Sequence, residues 1–123
     1  DGIPDLNGQP HPRLFGTFPR ILARYVRDRK ILSLPEAIRR MTSLPAGVFG
    51  MGHRGQIKAG YWADMVMFDP VTIQDMATYD APKTEAQGIS LVIVNGRVAF
   101  QDGVHLNAGS GKMLRFRRSA YGE

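Results

Sequence analysis

Histidine, aspartate and arginine are the side chains of this sequence best suited to chemistry, and their spacing limits what they can do. The three histidines of the 123-residue chain are His11, His53 and His105. No two of them form an H-x-H sequence or stand four apart, so the pattern does not set two imidazoles on one side of a metal. His11 reads as a solvated loop residue, and His53 and His105 as surface residues beside turns. Cysteine is absent, which removes thiolate metal sites, thiol nucleophiles and disulfides. No metal ligand is therefore expected within these residues. Asp1, taken by itself, is a chain terminus with no local function. Arg13 is open to two readings: its guanidinium can grip a carboxylate bidentately, or it can pair with a structural acid or a helix end.

The positive charges are grouped. Arg20, Arg24, Arg27 and Arg29 share one segment, Arg39 and Arg40 the next, and Lys112, Arg115, Arg117 and Arg118 crowd the end of the sequence; the formal net charge is +5. Such runs suit an acidic partner such as nucleic acid. A solvated face is the better reading, since no base-stacking motif accompanies them, and no nucleic-acid partner is expected. With 43% hydrophobic and 22% charged residues the composition is that of a globular chain about one domain long. No apolar run could cross a bilayer, the first residues do not have the charged-then-apolar pattern of a leader, and the expectation is a soluble, cytoplasmic protein without membrane contact.

The elements that must position these side chains fall in two blocks. Residues 1–16 hold Pro4, Pro10, Pro12, Gly2, Gly8 and Gly16, which predicts an extended loop. Thr17 is expected to cap a helix with Pro19 in its first turn. Phe18, Ile21, Leu22, Tyr25 and Val26 form its buried stripe, and the arginines lie opposite. Ser33 and Glu36 stand at capping-box spacing before a second helix, whose stripe is Leu34, Ala37, Ile38 and Met41. Ser43 is expected to cap a short third helix ending at Gly50. Strands follow. The MVMF run, residues 65–68, is short and apolar, which predicts a strand covered on both faces with Met65 and Met67 in the core. Residues 71–88 are polar and irregular. Asn95-Gly96 then joins two apolar runs as the strongest short-range signal for a two-residue hairpin.

The order of these elements, with HPRLFGTFPRILARYVRD, SLPEAIRRMTSLPAGVFGM, GQIKAGYWADMVMFDP and VIVNGRVAFQDG, resembles the C-terminal portion of the N-acyl-D-amino-acid deacylases (D-aminoacylases) of the amidohydrolase superfamily. The resemblance runs from Asp1 to about Leu114. The G-x-I-x-x-G-x-x-A-D-x-V-x-x-D pattern from Gly55 to Asp69 and the VIVNG hairpin are shared with cyclic amidohydrolases such as dihydropyrimidinases. HPRLFGTFPR points to the D-aminoacylase branch.

The resemblance implies an α+β fragment of a larger enzyme. Residues 1–52 would be the loop and helices ending a metal-dependent (β/α)₈ barrel, residues 53–114 antiparallel strands of the flanking β-sandwich, and residues 115–123 a basic tail. Asp1-Gly2 matches the end of the eighth barrel strand, so Asp1 would be the catalytic acid that takes a proton from the attacking water and returns it to the leaving nitrogen. Arg13, in the loop that follows, would bind the carboxylate of an N-acyl-D-amino acid. The cofactor implied is zinc, held mainly by residues outside this sequence, where it lowers the pKa of a bound water. The partners expected are this small-molecule substrate and the rest of the parent chain, with self-association and no activity when the fragment is alone. A cyclic amidohydrolase and a stand-alone basic binding module are the competing readings.

Overall fold

The computed structural model describes residues 7–106 and 108–115. The chain divides into two compact units. One combines the residues up to Ala37 with Phe68–Ile89, and the other combines Ile38–Met67 with the residues from Ser90 onward. Among the described residues no helix is long and apolar enough to cross a membrane.

The first unit opens with helix α1, Arg13–Arg20, followed without a break by a π-helical segment, Ile21–Asp28. The helix therefore starts four residues before the expected Thr17 cap, with Pro12 at the capping position. Thr17 lies inside it and donates its hydroxyl to the Arg13 carbonyl at 2.6 Å, the back-bonding open to a mid-helix threonine. Pro19 is interior as well. It has no N–H to give to the ladder, and the change to the wider i→i+5 pattern follows directly after it.

That wider turn changes which side chains share a face. Positions four and five apart now align, so Leu22, Val26 and Arg27 line one small cavity with Leu34, Phe68, Pro70 and Ile73. Leu22 and Ala23 are buried, Ile21, Tyr25 and Val26 are half-buried, and Phe18, expected inside, is exposed. Arg27 does not lie opposite the apolar face. Its guanidinium donates to the carbonyls of Val71 (3.0 Å) and Ile73 (2.6 Å) and to Gln74 Oε1 (2.9 Å), pinning the irregular segment after Phe68. Ile73, in that segment, is only 1% exposed. A single bridge pairs Gln74 with Gln87.

Helix α2, Leu34–Met41, starts as expected: Ser33 Oγ accepts the Glu36 N–H at 3.4 Å, and Ala37 is buried. In the second unit helix α3, Ser43–Val48, begins at its expected cap, one residue earlier than predicted. Thr42 takes the capping position without a side-chain cap bond, and its hydroxyl turns back to the Ile38 carbonyl at 2.7 Å.

Four strands form one sheet in the order β1-β2-β3-β4: β1 Met65–Phe68, β2 Ile89–Val94, β3 Arg97–Gln101 and β4 Val104–His105. β2 and β3 pair antiparallel from Val94↔Arg97 to Leu91↔Gln101, with a bulge between Val92 and Ile93. The turn between them has Asn95 at φ 51° and Gly96 at φ 78°, the two positive φ values of a type I′ hairpin. Asp102 (φ 47°) and Gly103 (φ 86°) repeat this geometry between β3 and β4. β1 lies at the sheet edge, and it departs from expectation: Met65 and Phe68 are half-buried, while Val66 and Met67 are exposed. Val66 and Met67 are consecutive and so point to opposite faces of the strand, which leaves each face partly uncovered by the described residues.

Candidate functional site

Arg13 is the first residue of α1, and its side chain is exposed. Its backbone N–H has an unusual acceptor, the Nδ1 of His11 at 3.0 Å. The other ring nitrogen of His11 lies 3.1 Å from the Tyr79 hydroxyl, with the two rings edge to face at 5.2 Å and 78°. An Nδ1 that accepts leaves Nε2 as the protonated nitrogen, so the imidazole donates to Tyr79. Gln9 closes the group by donating its amide to the Tyr79 carbonyl at 2.6 Å. Tyr79 itself belongs to a turn in which Thr78 Oγ1 accepts the Ala81 N–H at 3.0 Å. Thus two of the residues singled out by type, His11 and Arg13, are brought together. Tyr79, 68 positions from His11, carries no sequence signal that would have linked it to them.

Asp1, the expected catalytic acid, and Gly2 lie outside the described residues. So does the tail beyond Arg115, with Arg117 and Arg118.

The remaining histidines have separate surroundings. His53 packs edge to face on Tyr61 at 5.4 Å, and His105 on Phe100 at 5.2 Å. Among the described residues no three His, Cys, Asp or Glu side chains stand close enough to share a metal. The donor set present does not fit a zinc site.

The arginine-rich segment is partly neutralised. Arg20 pairs with Asp75 at 3.0 Å, and Arg29 lies 6.0 Å from the centre of the Tyr25 ring. Arg20, Arg24 and Arg29 line an open cleft of about 630 Å³ together with Asp28, Gln74 and Asp75. Asp75 thus meets the arginines from the other segment, while Asp28 pairs with Arg27 beside it at 2.9 Å.

The Gly55–Asp69 motif has a geometric purpose in the second unit. Asp64 Oδ1 accepts the Asn95 N–H at 2.8 Å, and the Ala63 carbonyl accepts the Gly96 N–H at 2.9 Å. Arg54 pairs with Asp64 and donates to Asn95 Oδ1 at 2.6 Å, while Asn95 donates to the Ser110 carbonyl at 2.7 Å. The Ala-Asp of the motif therefore clasps the Asn-Gly hairpin. The motif's last acid, Asp69, organises the next turn: it accepts the Val71 N–H at 2.8 Å. That bond, with one from the Thr72 hydroxyl, holds its carboxyl below the ordinary value of 3.8.

Comparison with known proteins places this arrangement. The model of the amidohydrolase family matches residues 8–100. D-aminoacylase of Alcaligenes xylosoxydans xylosoxydans is 46% identical over 114 residues, which is 93% of this chain and 23% of that protein. A crystal structure of D-aminoacylase superposes with a TM-score of 0.83 and 46% identity, covering 87% of this chain and 22% of the other. N-acyl-D-glutamate deacylase of Bordetella bronchiseptica was solved with zinc and a phosphonate mimic of the tetrahedral intermediate. It superposes with a TM-score of 0.75 and 49% identity, covering 78% of this chain and 20% of its own. The chain spans about a fifth of the length of these relatives.

Proposed function

Because this chain belongs to the amidohydrolase family, we propose that it is the C-terminal part of a metal-dependent hydrolase that cleaves the linear amide of N-acyl-D-amino acids, releasing a carboxylate and a free D-amino acid. The observation that carries the reading is the 46% identity to D-aminoacylase over 93% of this chain. Identity of that order extends to N-acyl-D-glutamate deacylase, which shares the chemistry and differs in the amino acid it names. In this reading residues 1–52 are the loop and helices that end a (β/α)₈ barrel, residues 53–114 belong to the flanking β-sandwich, and the enzyme is cytoplasmic.

Amide hydrolysis needs a proton removed from the attacking water and one delivered to the leaving nitrogen, and a single carboxylate can do both in turn. Asp1 has that role in our proposal, and Arg13 holds the substrate carboxylate by two parallel N–H···O bonds. Zinc is the proposed cofactor of the complete enzyme. Among the described residues no three donors gather to hold it, and in this proposal its ligands come mainly from the rest of the longer protein.

The experiment is Asp1→Asn in the longer protein. Asparagine keeps the size and most hydrogen bonding but cannot take up and return a proton. We expect kcat for an N-acetyl-D-amino acid to fall by about 10² to 10⁴ with the fold intact. Metal content is measured beside the rate, so that loss of zinc is not mistaken for loss of the proton shuttle. A variant with full metal and a near-normal kcat would remove Asp1 from the catalytic role.

A further inference from the structure

We propose that His11, held by Tyr79, is a positioning residue for Arg13; the inference rests on the reading of Arg13 as the group that binds the substrate carboxylate. The start of α1 lacks an ordinary cap. Pro12 sits at the capping position and provides no side-chain bond. The amides that follow are satisfied locally: Leu14 donates to the His11 carbonyl at 3.0 Å, and Phe15 and Gly16 donate to the Pro12 carbonyl at 3.2 and 3.0 Å. The Arg13 N–H is the one amide of this first turn whose acceptor is a side chain, His11 Nδ1 at 3.0 Å.

An imidazole can serve as such an acceptor only while its ring is held in one orientation and one tautomer. The Arg13 N–H on Nδ1 selects the tautomer, the Tyr79 hydroxyl at 3.1 Å from Nε2 holds the ring's orientation, and the edge-to-face contact at 5.2 Å fixes the ring plane. Gln9, two residues before His11, holds the Tyr79 backbone at 2.6 Å. Residues 9–13 are thereby clasped to the turn around Tyr79. A first helical residue otherwise frays. The clasp fixes the Cα–Cβ direction of Arg13 and so the approach of its guanidinium. A guanidinium that is aimed before substrate arrives loses less freedom on binding.

Steady-state kinetics of the longer protein on an N-acyl-D-amino acid test this. His11→Ala should raise KM about five-fold and leave kcat within about two-fold, the pattern of an interaction equally strong in ground and transition states. Tyr79→Phe, which keeps the ring, should raise KM about two-fold. His11→Asn should restore near-normal KM, because an Asn oxygen can accept the N–H two residues on. Arg13→Ala should itself raise KM more than about ten-fold, and adding His11→Ala to it should change nothing further.

An unchanged KM in His11→Ala, where Arg13→Ala raises it, would overturn the proposal and leave the reading of Arg13 standing. An equal rise in KM with and without Arg13 would do the same, since His11 would then act by another route. If Arg13→Ala leaves KM unchanged, the reading of Arg13 fails and takes the proposal with it. Should His11→Ala not fold, Tyr79→Phe and His11→Asn, each with and without Arg13, decide the matter by the same comparison.

Discussion

A methyl group on Gly88 would lie 2.6 Å from both the nitrogen and the α-carbon of Ile73, and the residue sits at φ +82°. Both facts forbid a side chain there, because the near atoms are backbone and the conformation favours glycine. Gly88→Ala should destabilise the fold by about 2 kcal/mol or more, seen as a drop in Tm, whereas Gly60→Ala, with open space around its α-carbon, carries only the conformational cost. Gly88 and Ile73 show why single residues are hard to read in advance. Ile73 stands in a polar stretch without periodicity, yet it is buried to 1% because Arg27 gathers the surrounding carbonyls. His11 and Arg13 were legible as chemistry-bearing types, but their connection passes through Tyr79, and only the folded chain brings that residue near.

At the level of elements, the sequence was most informative where a local rule decides the outcome. Ser33 caps α2, and Asn95-Gly96 makes the hairpin, because both depend on residues within three or four positions. The rule failed at Thr17 and Pro19. There the π-helical segment changes the period from which the buried stripe was read, and Phe18 moves out while Arg27 moves in. The clasp on the hairpin was invisible in the motif's spacing, since Asp64 reaches Asn95 across 31 positions. Asp64→Ala would leave the Asn95 N–H without its acceptor and the mostly enclosed Arg54 without its counter-charge. We expect a loss of roughly 1–3 kcal/mol in urea unfolding, against less than about 0.5 kcal/mol for Arg97→Ala on the exposed start of β3. Asp69 gives the pH dependence. Its carboxyl titrates below 3.8 in the folded chain because Val71 and Thr72 donate to the ionised form. Its stabilising effect is therefore complete above the unfolded value and is lost as pH falls through the folded one. The stability advantage of the native chain over Asp69→Ala should be constant near neutrality and shrink only below about pH 4; an advantage unchanged at pH 2 would contradict this.

The whole chain leaves much apolar surface open. Ile57 is 89% exposed, Phe49 62% and Phe18 60%, and β1 carries Val66 and Met67 on the sheet edge. Exposed apolar side chains and an open strand edge favour association. The 123-residue chain alone should therefore form oligomers, measured by light scattering, and should hydrolyse no N-acetyl-D-amino acid even with added zinc. A monodisperse monomer, or zinc-dependent turnover by this chain, would contradict one or the other expectation. The central claim concerns the longer protein, and substrate choice tests it most directly. The zinc-loaded enzyme is to be offered N-acetyl-D-amino acids, their L-enantiomers and a dihydropyrimidine, with free amino acid and ring opening both measured. The account predicts release of D-amino acids with kcat/KM far above that for the L-forms and no ring opening. Opening of the cyclic amide without cleavage of any N-acyl-D-amino acid would contradict it.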